Sequence, residues 1–189
     1  MNNVVYILHG LGADSHANWF PWLKQELKSK GYTVAVPDFP SSAIPDLDEW
    51  LNVLHSTIGQ YGEGILIGHS LGGLAAIQYL LSGGKSPKVI LAATPFAKID
   101  IAPEIDQFFP ESNDIKTLRQ ATFPQDILGL PLSEPLKTEF IVMQSDNDPL
   151  IGPTDGQKWT ELLQAKYVQL PGLEHLTLAE LPEILPYLE

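Results

Sequence analysis

Three side chains in this sequence could together produce a reactive hydroxyl: a serine set between glycines, a histidine far downstream and a carboxylate between them. Ser70 lies in Gly68-His69-Ser70-Leu71-Gly72, which has the spacing G-x-S-x-G. A serine hydroxyl is a poor nucleophile at neutral pH, so it needs a base within hydrogen-bonding reach and a carboxylate that holds this base in the right tautomer. The chemistry open to such a set is acyl transfer.

The base and the acid are sought downstream of the serine, in the chain order Ser, Asp, His. His175 is the only histidine after Ser70, and it follows the last predicted strand. The loop after the fifth predicted strand offers two acids, Asp146 and Asp148. We expect Asp148 to be the partner of the histidine because it lies farther into the loop, where Pro149 can fix it. Asp146 lies nearer the strand and could brace the turn.

Acyl transfer also needs two N–H donors for the oxyanion. We expect them to be the backbone N–H of Leu71, which follows the serine, and that of Leu11, in the loop after the first predicted strand. His9 and His69 are expected to brace this backbone rather than to titrate during catalysis. The alternative for Ser70 is that it only caps the helix that follows it.

Strands and helices alternate along the chain, which predicts right-handed βαβ crossovers and a mostly or wholly parallel sheet of about six strands. Apolar, β-branched runs predict strands at 4–8, 32–36, 64–67, 88–93, 139–143 and 167–170. Helical spacing of apolar residues predicts helices at about 20–30, 46–58, 71–81, 154–164 and 178–188. Because sites in such sheets lie at the carboxyl ends of the strands, the candidate residues should meet on one rim.

The segment at about 96–135 breaks this alternation, since it is rich in proline and lacks clear periodicity. We interpret it as an irregular, lid-like excursion within one α/β domain that spans residues 1–189. Five aromatic residues could line a pocket for the acyl group, although aromatic residues at such spacings are more often part of the core. They are Trp19, Trp22, Phe96, Phe108 and Phe109.

Composition excludes several classes of function. The chain has 23 acidic and 11 basic residues, a net charge of −12, and its basic residues form no cluster, so nucleic acid and anionic membranes are not expected partners. It has no cysteine, which excludes disulfides and thiolate metal sites. The chemistry considered above requires no metal and no cofactor. No apolar run approaches the length of about 20 residues that spans a bilayer, and we expect a cytoplasmic monomer.

The segment Gly68–Gly73 would form a sharp turn between a strand and a helix, with Ser70 at its tip. Together with the preceding His9-Gly10, it resembles the nucleophile elbow of the α/β-hydrolase superfamily, and the resemblance covers the whole chain. The segments Asn18–Leu23, Pro37–Pro40 and Asp146–Pro149 are similar to those of the small YdeN-like serine hydrolases, a group that includes the animal retinoblastoma-binding hydrolases. The resemblance implies a three-layer α/β-hydrolase fold in a minimal version without the two leading strands. It also implies carboxylesterase-like activity on small-molecule esters.

Two other functions are compatible with the same scaffold. One is hydrolysis of thioesters or amides, which would use the same acyl-enzyme chemistry. The other is a protein-interaction module that keeps the hydrolase fold, because a fold does not fix a function.

Overall fold

The computed structural model describes residues 3–96 and 137–188, and its strands form one six-stranded sheet in which every pairing is parallel. The strands are β1 (Val4–Leu8), β2 (Thr33–Ala35), β3 (Ile65–His69), β4 (Lys88–Ala92), β5 (Glu139–Ser145) and β6 (Lys166–Leu170). Across the sheet their order is β2-β1-β3-β4-β5-β6. The predicted α/β architecture is therefore confirmed. The predicted excursion at 96–135 lies, from residue 97 onward, outside the described residues.

The described α-helices are α1 (Phe20–Ser29), α2 (Leu47–Tyr61), α3 (Leu71–Leu81) and α4 (Pro153–Leu163). Helix α2 begins where its sequence predicts, because the Asp46 side chain accepts the N–H of Glu49 and so satisfies one of the unpaired donors of the first turn. None of these described helices is both long and apolar enough to cross a bilayer.

The sheet is covered on both faces, which explains why β1 is apolar at every position. Tyr6 and Leu8 point to one face and pack with residues of α2 and α3. Val5 and Ile7 point to the other face and pack with residues of α1 and of the C-terminal segment. This arrangement gives three layers, and the carboxyl ends of the central strands meet along one rim.

Several predicted elements have different bounds in the structure, among them the C-terminal helix and strand β5. The helix predicted at 178–188 is wrong as an α-helix: the segment Pro182–Tyr187 forms a short 3₁₀ helix. Pro182 and Pro186 explain this, because neither has an N–H to donate and a proline inside an α-helix clashes with the preceding turn. Strand β5 continues two residues beyond the predicted end at Met143, to Ser145. The acidic loop thus begins directly at the end of the strand.

Helix α3 approaches the end of β1 most closely at Gly72. A Cβ atom on Gly72 would overlap the backbone carbonyl groups of Leu8 and His9. By contrast, a Cβ atom on Gly59, in α2, would meet no atom within 4 Å. Gly59 and Gly72 therefore both lie in helices, but only Gly72 has other backbone atoms packed closely against it.

We expect Gly72→Ala to lower the free energy of unfolding by about 1–3 kcal/mol, because backbone atoms cannot move aside as a flexible side chain can. We expect Gly59→Ala to raise it by up to about 1 kcal/mol through helix propensity. Urea denaturation of both variants measures the difference, and equal effects would contradict the packing described here.

Candidate active site

Ser70 occupies a sharp turn between β3 and α3. Its backbone has φ 52° and ψ −122°, a conformation that costs a residue with a side chain about 1–3 kcal/mol. Its N–H donates to the carbonyl of Ala92 at 2.9 Å, which ties the turn to the end of β4. The Ser70 side chain makes no capping hydrogen bond to α3, so the alternative that it only caps this helix is wrong. The hydroxyl is left available for chemistry.

The loop after β1 lies directly against this turn. A Cβ atom built on Gly10 would stand 2.9 Å from Ser70 Cβ and 3.4 Å from the backbone nitrogen of Leu71. Leu71 is the first residue of α3, so the helix offers no acceptor for its N–H. The two peptide segments that carry the predicted oxyanion donors, at Leu11 and Leu71, are thus neighbours.

The buried side chain of His9 fixes the loop after β1. Its Nδ1 lies 2.9 Å from the carbonyl oxygen of Gly10, which can only accept, and its Nε2 accepts the N–H of Phe39 at 2.8 Å. The ring is therefore neutral with its proton on Nδ1, and burial lowers the pKa of His9. Because the Gly10 carbonyl and the Leu11 N–H share one planar peptide, holding the former also orients the latter.

The structure brings His175 and Asp148 together. His175 Nδ1 lies 2.9 Å from Asp148 Oδ2, with the two side chains 12% and 0% exposed. Gln144 Nε2 donates to the same oxygen at 3.3 Å. The other oxygen, Oδ1, accepts the N–H groups of Leu150 at 2.8 Å and Ile151 at 3.0 Å. Four donors suit an ionised carboxylate, which only accepts, and they leave Nε2 of the imidazole for another partner.

Asp146 lies in the same loop and has different partners. Its Oδ1 accepts the N–H of Gly172 at 2.8 Å, and its own N–H donates to the carbonyl of Leu170 at 3.1 Å. Asp146 is thus a brace between two segments of backbone. The geometry favours Asp148 as the partner of the imidazole.

His69 connects the His175 loop to the serine turn. Its Nε2 lies 2.8 Å from the carbonyl oxygen of His175, so this nitrogen carries the proton and donates. Burial, reinforced by the charge of His175, lowers the pKa of His69 to about 3, which keeps the ring neutral. Among the described residues the Ser70 hydroxyl makes no hydrogen bond to His175. In other enzymes the hydrogen bonds between catalytic groups are often long in the free protein and shorten only when substrate binds.

Trp19, predicted as a possible pocket residue, has another place. Its ring is fully buried and meets Phe20 edge-on at 4.8 Å between centroids. Its indole N–H donates to the carbonyl of Leu176 at 3.0 Å. Since Trp19 exposes no surface to an acyl group, it is a core residue that anchors the loop containing His175.

The other aromatic candidates are only partly described. Trp22 is half-buried against the α1 side of the core. Phe96 is half-buried at the start of the segment that follows β4, with its ring 5.0 Å from that of Trp159. A pocket role for these two residues stays a prediction. Phe108 and Phe109 lie outside the described residues.

Three residues that the sequence analysis did not single out also contribute to the site. Gln144 contacts Asp148, whereas Ser145 and Asn147 accept backbone N–H groups of the loop that precedes His175. The signal for them was an unbroken polar run directly after an apolar strand. Short polar side chains in such a run readily bond to backbone. The partners of Ser145 and Asn147 are 28 and 27 residues away in sequence, so no local pattern could identify these two.

Comparisons with known proteins agree with this architecture. A family model described as serine hydrolase matches residues 5–187. The Bacillus subtilis protein YdeN, whose name describes a hydrolase, is 34% identical over 118 residues, or 60% of this chain and 62% of YdeN. The matched region thus spans less than two thirds of the length of that relative.

Solved structures show the same fold. The crystal structure of the ydeN gene product from B. subtilis matches with a TM-score of 0.75 at 23% identity, over 98% of this chain and 96% of that one. An esterase from Rhodococcus sp., RhEst1, matches with a TM-score of 0.68 at 18% identity, over 98% and 90% of the two chains.

The neutral state of buried His69 makes stability depend on pH. Its pKa is about 3 when folded and 6.5 in the reference state, so unfolding takes up a proton between these values and the free energy of unfolding falls as the pH falls below 6.5. We expect His69→Gln to make this fall shallower by about 1 kcal/mol per pH unit between pH 6 and 4.

Urea denaturation at a series of pH values measures this slope. His16→Gln is the matched control, because the side chain of His16 is 86% exposed and meets water in the folded and the unfolded chain alike. An unchanged slope in His69→Gln would contradict the buried, neutral state.

Proposed function

We propose that this chain, which belongs to the serine hydrolase family, cleaves small acyl esters through a triad of Ser70, His175 and Asp148. The observation that carries this proposal is the 2.9 Å contact between His175 Nδ1 and Asp148 Oδ2 at the rim where Ser70 sits in a strained turn. A carboxylate on Nδ1 directs the lone pair of the imidazole to Nε2, the nitrogen that a serine hydroxyl needs.

In the first half of the proposed reaction, Ser70 Oγ attacks the ester carbonyl while His175 Nε2 takes the hydroxyl proton. The carbonyl electron pair moves to its oxygen, which the N–H groups of Leu11 and Leu71 stabilise. When the tetrahedral intermediate collapses, the bond to the alcohol breaks and His175 gives its proton to the leaving oxygen. Asp148 stabilises the imidazolium that exists between these two steps.

In the second half, water replaces the alcohol. His175 takes a proton from the water as its oxygen attacks the acyl-enzyme, and it returns that proton to Ser70 Oγ when the carboxylic acid leaves. The bound atoms and charges then match the starting state. The reaction needs only the ester and water.

Two observations bear on the substrate, one on its charge and the other on its chemical class. The net charge of −12 makes approach of strongly anionic substrates unfavourable. One structural neighbour, RhEst1, is named as an esterase, although at 18% identity this likeness is evidence for the fold and only suggests the substrate class.

We expect Ser70→Ala to abolish labelling by a fluorophosphonate probe and to lower turnover of short-chain aryl esters by about 10⁶-fold, the loss seen when other triads lose their nucleophile. Ser29→Ala is the matched control, since Ser29 is an exposed residue at the end of α1 whose hydroxyl donates to the carbonyl of Glu26. Gel fluorescence and spectrophotometric assays measure both. Labelling that survives in Ser70→Ala would refute the assignment. Labelling of the unsubstituted protein without turnover of any ester, thioester or amide would favour a binding module.

The two acids can be separated by paired substitutions. Asp148→Asn should lower kcat by about 10⁴-fold, because an amide no longer holds the imidazole in the productive tautomer. Asp146→Asn keeps an acceptor oxygen for the N–H of Gly172 and should cost far less. Steady-state kinetics on one aryl ester decide the matter, and a larger loss in Asp146→Asn would reverse the assignment of the acid.

A further inference from the structure

We propose that the side chains of Ser145, Asp146 and Asn147 are positioning residues that hold His175 in place by binding the backbone that leads to it. We name these three side chains the loop clamp. The inference rests on the proposed role of His175 as the base, and it adds residues that make no hydrogen bond to the imidazole themselves.

Three consecutive backbone N–H groups before His175 are each accepted by a different member of the loop clamp. The pairs are Gly172 N with Asp146 Oδ1 at 2.8 Å, Leu173 N with Ser145 Oγ at 3.0 Å, and Glu174 N with Asn147 Oδ1 at 2.9 Å. The residues that follow Asn147 and Glu174 form a fourth pair, since Asp148 contacts His175. Four successive residues of one segment thus fix four successive residues of the other.

The loop clamp begins where the sheet ends. The last register pair between β5 and β6 joins Ser145 to Leu170, and the N–H of Asp146 still donates to the carbonyl of Leu170. Beyond this point, side-chain oxygens of one segment replace carbonyl groups as acceptors for the other. Contacts between the two segments in this way continue past the end of the sheet as far as the imidazole, although their order changes: Asp146 binds the N–H of Gly172 while Ser145 binds that of Leu173.

The loop has a backbone that needs such support. Gly172, Glu174 and Leu176 all have left-handed φ values, of 71°, 48° and 55°. Glu174 and Leu176 carry side chains, for which this conformation is unfavourable, and they flank His175. External hydrogen bonds that exist only in this conformation offset its cost, so losing them should let the segment relax and the imidazole move.

Asn147 is the member best suited to a test. The hydroxyl of Ser145 donates to Asn147 Oδ1 at 2.8 Å, so this one oxygen accepts two hydrogen bonds and joins two parts of the clamp. Ser145 is fully buried, whereas Asn147 is exposed. Replacing Asn147 therefore removes the acceptor without opening a cavity in the core.

The experiment compares Asn147→Ala, which removes the acceptor, with Asn147→Asp, which keeps it, and with Asn52→Ala, an exposed substitution on α2. Aryl-ester kinetics on the pH-independent plateau give kcat and KM. We expect Asn147→Ala to lower kcat by about 10- to 100-fold through misplacement of the base, with KM changed by less than about twofold. Asn147→Asp should retain most of the activity, and Asn52→Ala all of it.

Nuclear magnetic resonance gives a readout that does not depend on turnover. In Asn147→Ala the amide of Glu174 should exchange with solvent about tenfold faster while that of Ile67, in β3, stays protected, and the Nδ1 proton of His175 should lose its low-field resonance. Unchanged exchange at Glu174 would overturn the clamp. Faster exchange with unchanged kcat would overturn its positioning role. If the unsubstituted protein hydrolyses nothing, the proposed function fails, and the exchange data alone still decide whether the clamp holds the loop.

Discussion

The close approach of α3 to the strands below it is the constraint on which the site depends. Cβ atoms on Gly68 or Gly72 would overlap backbone, so only glycine lets the first turn of the helix sit this near the ends of β1 and β3. The chain must then reverse within one residue, and that residue is Ser70, with its left-handed backbone. Packing on the two apolar faces of the sheet offsets the cost of this strained conformation, because it holds the chain on both sides of the turn.

The histidines at this rim have two different roles, and they differ in how deeply they are buried. His9 and His69 are enclosed, their pKa values are lowered, and each has a ring nitrogen within hydrogen-bonding distance of a backbone carbonyl. His175 keeps partial exposure and faces the carboxylate of Asp148, which are the surroundings expected of the proposed base. The neutral rings orient the peptides around the turn. Two of the three histidines are thus structural, and the third is the candidate base.

Local patterns predicted those parts of the molecule that local forces determine. The apolar run at β1, the cap at Asp46 and the spacing around Ser70 each indicate their own structure, and the parallel sheet follows from their alternation. The segment Pro182–Tyr187 was wrongly predicted as α-helix because its apolar residues have helical spacing, while Pro186 inside it disfavours that helix. The place of Trp19 was missed because its partner, Leu176, is 157 residues away. Contacts of that kind exist only once the layers are packed.

The loop clamp binds main chain, and this has a consequence for how the protein can change. An N–H group is present in every residue except proline, so the hydrogen bond at position 174 does not depend on which side chain is there. Glu174 is exposed to solvent and directly precedes His175 in the chain. A substitution at this position can therefore change the exposed surface of the loop without removing the hydrogen bond that supports its backbone.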